Sequence, residues 1–291
     1  MGILDALFGK RVAKTNIKQQ FELIGRVGQG TMSEFWRARN RTSGRIVGLK
    51  ILDREKTEKF EARFPGLSKP TEGEIAVQFD HPHVVKTIEH GLTTDRLQFL
   101  VMEFLEGHLL TRMIRQRDGN LRENQLRYLI ELGDAITHVH EKNFIHRDLC
   151  PRNVIITEDR GVKLIDFGLV VPNTPAFRRP GNRTGTANYM APELIRRQPT
   201  DERIDVFSFA VTCFETVTGQ LPWNPGKGHE AIMPHTSTPP TDVRVLAEEI
   251  DESLAETIMR GLEVDPAARW PSAREMTEAL RTSEGGNVHS S

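Results

Sequence analysis

Cysteine is scarce: the 291 residues hold two, Cys150 and Cys213. Two thiols cannot staple a secreted scaffold, so a reducing compartment, the cytoplasm, is the expected location. Net charge of one sign is missing as well. Lys+Arg 39 against Asp+Glu 40 leaves -1. The basic footprint that nucleic acid demands is therefore absent, and no nucleic acid is expected as a partner. No run approaches the roughly 20 apolar residues that span a bilayer. The most apolar stretch, Val206 to Val217, is interrupted by Ser208, Thr212 and Glu215, so no transmembrane segment is expected. The start carries no long apolar core with a small-residue cleavage site, and no secretory signal is read there. Position 6 is Ala6, which fails the myristoylation pattern.

What is present is the balance of an ordinary folded domain, 37% hydrophobic and 27% charged. In the opening MGILDALFGKR, residues Ile3, Leu4, Leu7 and Phe8 share one helical face, followed by Lys10 and Arg11. That pattern supports weak peripheral contact of residues 1–20 with a membrane surface or a partner. The competing reading, which we prefer, is a frayed terminus or a helix docked on its own domain.

From residue 21 to about 104 the pattern is strand-like. Phe21–Arg26, Glu34–Asn40 and Arg45–Leu52 are short runs separated by turn residues such as Thr42-Ser43-Gly44. A helix is predicted over Pro70–Phe79 and a further strand over Leu97–Phe104. From residue 109 the period becomes helical. Within 122–142, Leu126, Leu129, Ile130, Gly133, Ile136 and Val139 fall near one face. A small β-rich part thus precedes a larger helical part, with the boundary near Glu103–Gly107, and no internal repeat is visible.

Several short motifs carry chemistry. Val27-Gly28-Gln29-Gly30-Thr31-Met32-Ser33-Glu34-Phe35 lies between two predicted strands. Its glycines would let a hairpin lie close over phosphates, although a plain flexible hairpin looks the same. Val47-Gly48-Leu49-Lys50 ends a strand with a lysine among apolar residues. Of two candidate carboxylates for that lysine, Glu72 shares a helical face with Ile75, Ala76 and Phe79, whereas Glu74 points elsewhere. Then come Ile145-His146-Arg147-Asp148-Leu149-Cys150-Pro151-Arg152-Asn153 and Leu164-Ile165-Asp166-Phe167-Gly168. Each borders a short apolar run, so a hairpin is expected with Asp148, Asn153 and Asp166 clustered at its ends. Isolated loop aspartates are usually turn formers; two such motifs at this spacing are harder to read that way. Gly185-Thr186-Ala187-Asn188-Tyr189-Met190-Ala191-Pro192-Glu193, Asp205-Val206-Phe207-Ser208-Phe209 and Asp265-Pro266-Ala267-Ala268-Arg269 complete the set.

In this order the motifs resemble the signature set of the protein kinase family, in the serine/threonine class and similar to its compact bacterial members. The resemblance spans roughly residues 21–282. It implies an α+β, two-lobed protein-kinase-like fold, with a β-rich N-lobe at 21–104 and a helical C-lobe at 105–282. Residues 1–20 would be an extension. Residues 283–291 (SEGGNVHSS) read as a disordered tail. The implied activity is transfer of the γ-phosphate of ATP to serine or threonine of protein substrates, with Mg2+ as cofactor and autophosphorylation as a further step.

The resemblance also assigns roles. Val27, Gly28, Gly30 and Phe35 would cover the nucleotide, and Lys50, held by Glu72, would contact its α- and β-phosphates. Glu103 and Leu105 would offer backbone groups to adenine beside Met102. Asn153 and Asp166 would hold magnesium. Asp148 would orient the hydroxyl and accept its proton. Asp205 would anchor the catalytic loop, and Glu193 with Arg269 would brace the substrate-side lobe.

The sequence departs from the family at instructive points. Ser33 replaces a third loop glycine. Phe35 stands where valine is usual and Gly48 where alanine is usual; the pair reads either as a compensating exchange of volume or as two unrelated neutral changes. Cys150 stands where serine/threonine kinases carry a lysine near the γ-phosphate. Arg152 is expected to supply the missing charge, and Cys150 itself is a candidate for a reactive thiol of lowered pKa. Thr184 is a candidate phosphorylation site that an arginine would hold. The histidines, His146 among them, do not have the spacing of a zinc site. Two other readings compete: a pseudokinase that binds nucleotide or scaffolds without catalysis, and a small-molecule phosphotransferase of the same fold.

Overall fold

A computed structural model describes residues 14–29, 33–159, 161–180, 183–224 and 232–285. They form two compact units. One comprises the chain up to Asp80 together with Val85–Leu105. The other comprises His81–Val84 and the chain from Glu106 onward.

The first unit is a sheet with three short helices. Its strands are β1 (Lys14–Thr15), β2 (Phe21–Gln29), β3 (Ser33–Asn40), β4 (Ile46–Leu52), β5 (Thr87–Thr93) and β6 (Gln98–Glu103), in the order β1-β5-β6-β4-β3-β2. The helices are α1 (Ile17–Gln20), α2 (Arg54–Glu61) and α3 (Glu72–Ala76). The β3–β4 turn closes because Asn40 Oδ1 accepts the amides of Thr42 (3.0 Å) and Ser43 (2.9 Å), while Gly44 takes φ +70°. Successive strand residues face opposite sides of a sheet. Val47 and Leu49 join Phe21, Ala38, Phe99 and Val101 in one buried core. That alternation turns Gly48 and Lys50 to the other face.

Ile17 is buried against the same core, and β1 pairs in parallel with β5 through Lys14–Leu92 and Thr15–Thr93. Residues 14–20 therefore belong to this unit. The amphipathic stretch at residues 1–11 lies outside the described residues. The helix expected over Pro70–Phe79 occupies only Glu72–Ala76. Thr71 caps it with an extended backbone, and Val77 ends it.

The second unit is mainly helical. It contains β7 (Gly107–Leu109), α4 (Leu110–Gln116), α5 (Gly119–Glu141), β8 (Phe144–Ile145), β9 (Val154–Thr157), β10 (Val162–Leu164) and β11 (Val171–Pro172). These are followed by α6 (Pro192–Ile195), α7 (Arg203–Thr218), α8 (Pro234–Ser237), α9 (Val243–Leu246), α10 (Glu252–Gly261) and α11 (Ala273–Gly285). The expected α5 face is buried at Leu129, Ile130, Gly133, Ile136 and Val139, and only half-buried at Leu126. Tyr128, Leu132 and Ala135 are buried too, because α5 is wrapped on more than one side. Gly133 lies so close to α11 that a Cβ there would strike the Thr277 hydroxyl.

Helix α7 is buried along most of its length. Its polar residues pose no solvation problem, since they bond back to the preceding turn. Ser208 Oγ donates to the Ile204 carbonyl (3.1 Å), Thr212 Oγ1 to Ser208 (2.8 Å) and Thr216 Oγ1 to Thr212 (2.7 Å). No helix among the described residues is long and apolar enough to cross a membrane. Helix α11 continues past residue 282 to Gly285, taking up the first residues of the segment read as a tail.

Candidate active site

In the sheet unit, Lys50 on β4 meets Glu72 at the first position of α3, with Lys50 Nζ 2.5 Å from Glu72 Oε1. Both side chains are buried. A buried ion pair is sustained only while each charge keeps its partner; removing one costs about 3–5 kcal/mol. Phe35 on β3 lies opposite Lys50. The tip of its ring fills the space above Gly48. A Cβ on Gly48 would sit 2.7 Å from Phe35 Cζ and 3.0 Å from Met102 Cγ. Val27 is exposed on β2 and Gly28 pairs with Phe35, whereas Gly30 lies outside the described residues. At the end of β6 the Glu103 amide donates to the Lys86 carbonyl (3.0 Å), and Leu105 is half-buried.

In the helical unit, β9 and β10 form the expected hairpin, with Val154 opposite Leu164. The loop before it is held from below by Asp205 of α7. This carboxylate is fully buried and accepts the amides of His146 (2.7 Å) and Arg147 (2.8 Å), while His140 Nε2 lies 2.9 Å away. Burial disfavours its charged form, but these partners outweigh burial and hold the carboxyl below the usual range. His146 has no exposed surface, and burial pushes its pKa down, keeping the ring neutral. Its ring lies edge-on to Phe167 at 5.8 Å.

Asp148 follows on this anchored loop and is itself buried. Its Oδ1 accepts the Thr186 amide (2.7 Å) and the Thr186 hydroxyl (2.6 Å). Its Oδ2 accepts Asn153 Nδ2 and Arg152 Nη2, each at 3.1 Å. Asn153 Nδ2 also lies 2.8 Å from the Asp148 carbonyl. Gly185 makes the Thr186 approach feasible. Its φ is +125°, and a Cβ would come within 2.6 Å of the Arg147 carbonyl oxygen. The Ile165 amide donates to the Asn153 carbonyl at 2.9 Å, which ties the segment bearing Asp166 to the loop bearing Asn153. Asp166 is exposed, with φ +70°, and its Oδ1 accepts the Gly168 amide at 3.2 Å.

The structure therefore brings Lys50 to Glu72 in one unit, and Arg152 and Asn153 to Asp148 in the other. It corrects one expectation outright. Cys150 is no activated thiol: it is buried, and burial with the Asp148 charge pushes its pKa up to about 12. The Arg152 charge and hydrogen bonds from Arg152 and from the Thr186 hydroxyl, 3.7 Å away, favour the thiolate, but desolvation outweighs them. Thr184 is likewise buried, and its hydroxyl has no hydrogen-bond partner among the described residues.

Two contacts escaped the sequence reading. The His140–Asp205 contact joins residues 65 apart in the chain, which no local spacing links. Tyr189 donates its hydroxyl to Glu215 of α7. Burial raises the Glu215 pKa, and burial together with Glu215 raises that of Tyr189. Below the loop, Glu193 and Arg269 form a fully buried two-pronged pair, each bond 2.7 Å.

Comparison with known proteins agrees with this geometry. Residues 21–281 match the family model described as "Protein kinase domain". The chain is 30% identical over 260 residues to a "Probable serine/threonine-protein kinase" of Clostridium perfringens, covering 88% of this chain and 37% of that protein. It is 24% identical over 279 residues to the serine/threonine-protein kinase PrkC of Bacillus subtilis, covering 95% and 41% respectively. It is 32% identical over 217 residues to ribosomal protein S6 kinase alpha-2 of Mus musculus, covering 74% and 29%. The chain thus spans less than half the length of these relatives. With its motifs in order, the loop that carries Asp148 anchored on Asp205 and the family model matched from residue 21 to 281, the chain belongs to the protein kinase domain family.

Proposed function

We propose that this chain transfers the γ-phosphate of ATP to serine or threonine hydroxyls of protein substrates. The observation that carries the proposal is the Asp148 carboxylate, buried, fixed by the Asp205-anchored loop and met by donors from Thr186, Arg152 and Asn153. The serine/threonine names of the relatives support the acceptor class.

In this reaction the acceptor oxygen forms a bond to the γ-phosphorus. The bond from that phosphorus to the β–γ bridging oxygen breaks, ADP leaves, and the hydroxyl proton passes to Asp148. An ionised carboxylate offers about four lone-pair sites, and Asp148 already receives four donors. A substrate hydroxyl must therefore displace one. Arg152 is the candidate, since its side chain is 48% exposed while Asn153 is buried. Once displaced, its guanidinium would turn to the transferring phosphate, in the role that lysine has in most serine/threonine kinases.

Lys50, held by Glu72, takes the α- and β-phosphates, under the strand end that carries Gly28. Val27 and Phe35 cover the base, and Glu103 and Leu105 offer it backbone groups. The donor set also suits magnesium, a hard cation that prefers oxygen. Asp166 presents an exposed carboxylate, and Asn153 gives its amide hydrogens to Asp148, so that its side-chain oxygen would be the ligand to the metal. Bound there, magnesium would neutralise phosphate charge. Two free, buried cysteines fit a reducing cytoplasm. Autophosphorylation at Thr184 would require its segment to open first, since that hydroxyl is buried.

The test is incubation with labelled Mg-ATP and a generic basic protein, followed by phosphoamino-acid analysis. Phosphoserine and phosphothreonine are expected; phosphotyrosine as the main product would overturn the assignment of acceptor.

A further inference from the structure

Glu72 is the first residue of a helix only five residues long. Isolated helices shorter than about 12–15 residues are marginal in water, so α3 cannot hold Glu72 in place by its own stability. Two features outside the Lys50–Glu72 pair do so. The first is a closed capping box. Thr71 Oγ1 accepts the Glu74 amide (3.3 Å), and Glu74 Oε2 accepts the Thr71 amide (2.8 Å) and the Thr71 hydroxyl (2.9 Å). The second is a close approach between α3 and β5. A Cβ on Gly73 would lie 2.5 Å from His90 Cβ and 2.6 Å from His90 Cγ. Ordinary carbon contacts lie at about 3.5–4.0 Å, so any side chain at position 73 would lift the helix from the strand by about 1 Å. Ile75 and Ala76 are fully buried, so the inner face of the helix is packed as well.

We propose that Gly73 and His90, together with the Thr71–Glu74 box, set the point at which Glu72 meets Lys50. They are positioning residues for phosphoryl transfer and touch no substrate. This inference rests on the kinase reading above. Glu72 adjoins the Gly73 contact in the chain, so lifting α3 moves its carboxylate directly. Lys50 sits on the central strand β4 between β3 and β6 and cannot follow.

The decisive variant is Gly73→Ala. A misplacement of about 1 Å can cost roughly 100-fold in turnover, and kcat should fall by up to that order with folding retained. Rescue is specific. His90→Ala keeps the offending Cβ and should not restore kcat in the Gly73→Ala background, whereas His90→Gly removes it and should. Thr71→Ala should lower kcat by roughly fivefold, the equivalent of one lost cap, and Thr71→Ser should hold it.

A second readout does not need catalysis. Acylation of Lys50 by an amine-reactive ester, followed by mass spectrometry, should be slow in the wild type and faster in Gly73→Ala, and slow again with His90→Gly added. If wild-type activity is absent, the kinase reading fails and the labelling series still decides the positioning claim. Unchanged kcat and unchanged Lys50 labelling in folded Gly73→Ala would overturn it, as would rescue by His90→Ala equal to that by His90→Gly.

Discussion

Gly48→Ala adds one methyl group at a place where this chain has no room for it. The new Cβ would sit 2.7 Å and 3.2 Å from two atoms of the Phe35 ring and 3.0 Å from Met102 Cγ. All lie well inside the roughly 3.5–4.0 Å separation of relaxed carbon contacts. A ring edge cannot yield as the end of a lysine would, so Phe35 or Met102 must leave its position. Overpacking of this kind costs about 1–3 kcal/mol. If Phe35 covers the base, the displaced ring enters the adenine slot and ATP affinity falls by roughly 5- to 150-fold. The assay is calorimetric or fluorescence titration of nucleotide onto Gly48→Ala, Phe35→Val and the double variant. In the Phe35→Val background the ring is gone, so the added methyl should cost little. The cycle should show a coupling of at least about 1 kcal/mol between the two sites. Additive effects, or Gly48→Ala affinity within twofold of wild type, would refute the compensating-volume account.

Other consequences are as direct. Arg152→Ala should lower kcat at least tenfold and leave ATP affinity within twofold; unaltered turnover would show that the charge near Asp148 is dispensable. Cys150, with its pKa pushed up to about 12, should resist iodoacetamide at neutral pH in the folded protein, as read by mass spectrometry; ready labelling would contradict its burial. Thermal stability should decline as pH falls below about 6.5. His146 and His235 are kept neutral by burial, so their folded pKa values lie below the unfolded one. The stability they contribute is present above the unfolded pKa and lost as pH falls through the folded values. A melting temperature that rises between pH 7 and 5 would contradict this.

The loops of the helical unit were legible because their chemistry fixes residue types in order. Asp148, Asn153, Asp166 and Thr186 have few substitutes, and short spacings place them around one hairpin. The Glu72 partner was legible for a related reason: the helical period put it with Ile75 and Ala76, both buried. The extent of α3 was not, since Pro70 and Thr71 look helix-compatible until the capping box shows where the helix begins. Strand β5, Thr87–Thr93, has no clear alternation in TIEHGLT; its pairing with β6 decides it. The charged helix α2, REKTEKFE, shows little amphipathic pattern and starts on the Asp53 cap, which accepts the Lys56 amide at 3.0 Å. Cys150 stands beside a cation in sequence, but its burial, which sequence does not display, raises its pKa more than Arg152 lowers it.

The central claim is that Asp148 accepts the proton of a hydroxyl receiving phosphate. It is tested most directly by measuring phosphate incorporation from Mg-ATP with the wild type and Asp148→Asn side by side, with nucleotide affinity determined for both. The account predicts incorporation by the wild type that falls by at least 100-fold in Asp148→Asn, with affinity for ATP retained. Equal incorporation by both proteins, or none by a wild type that binds ATP, would contradict it.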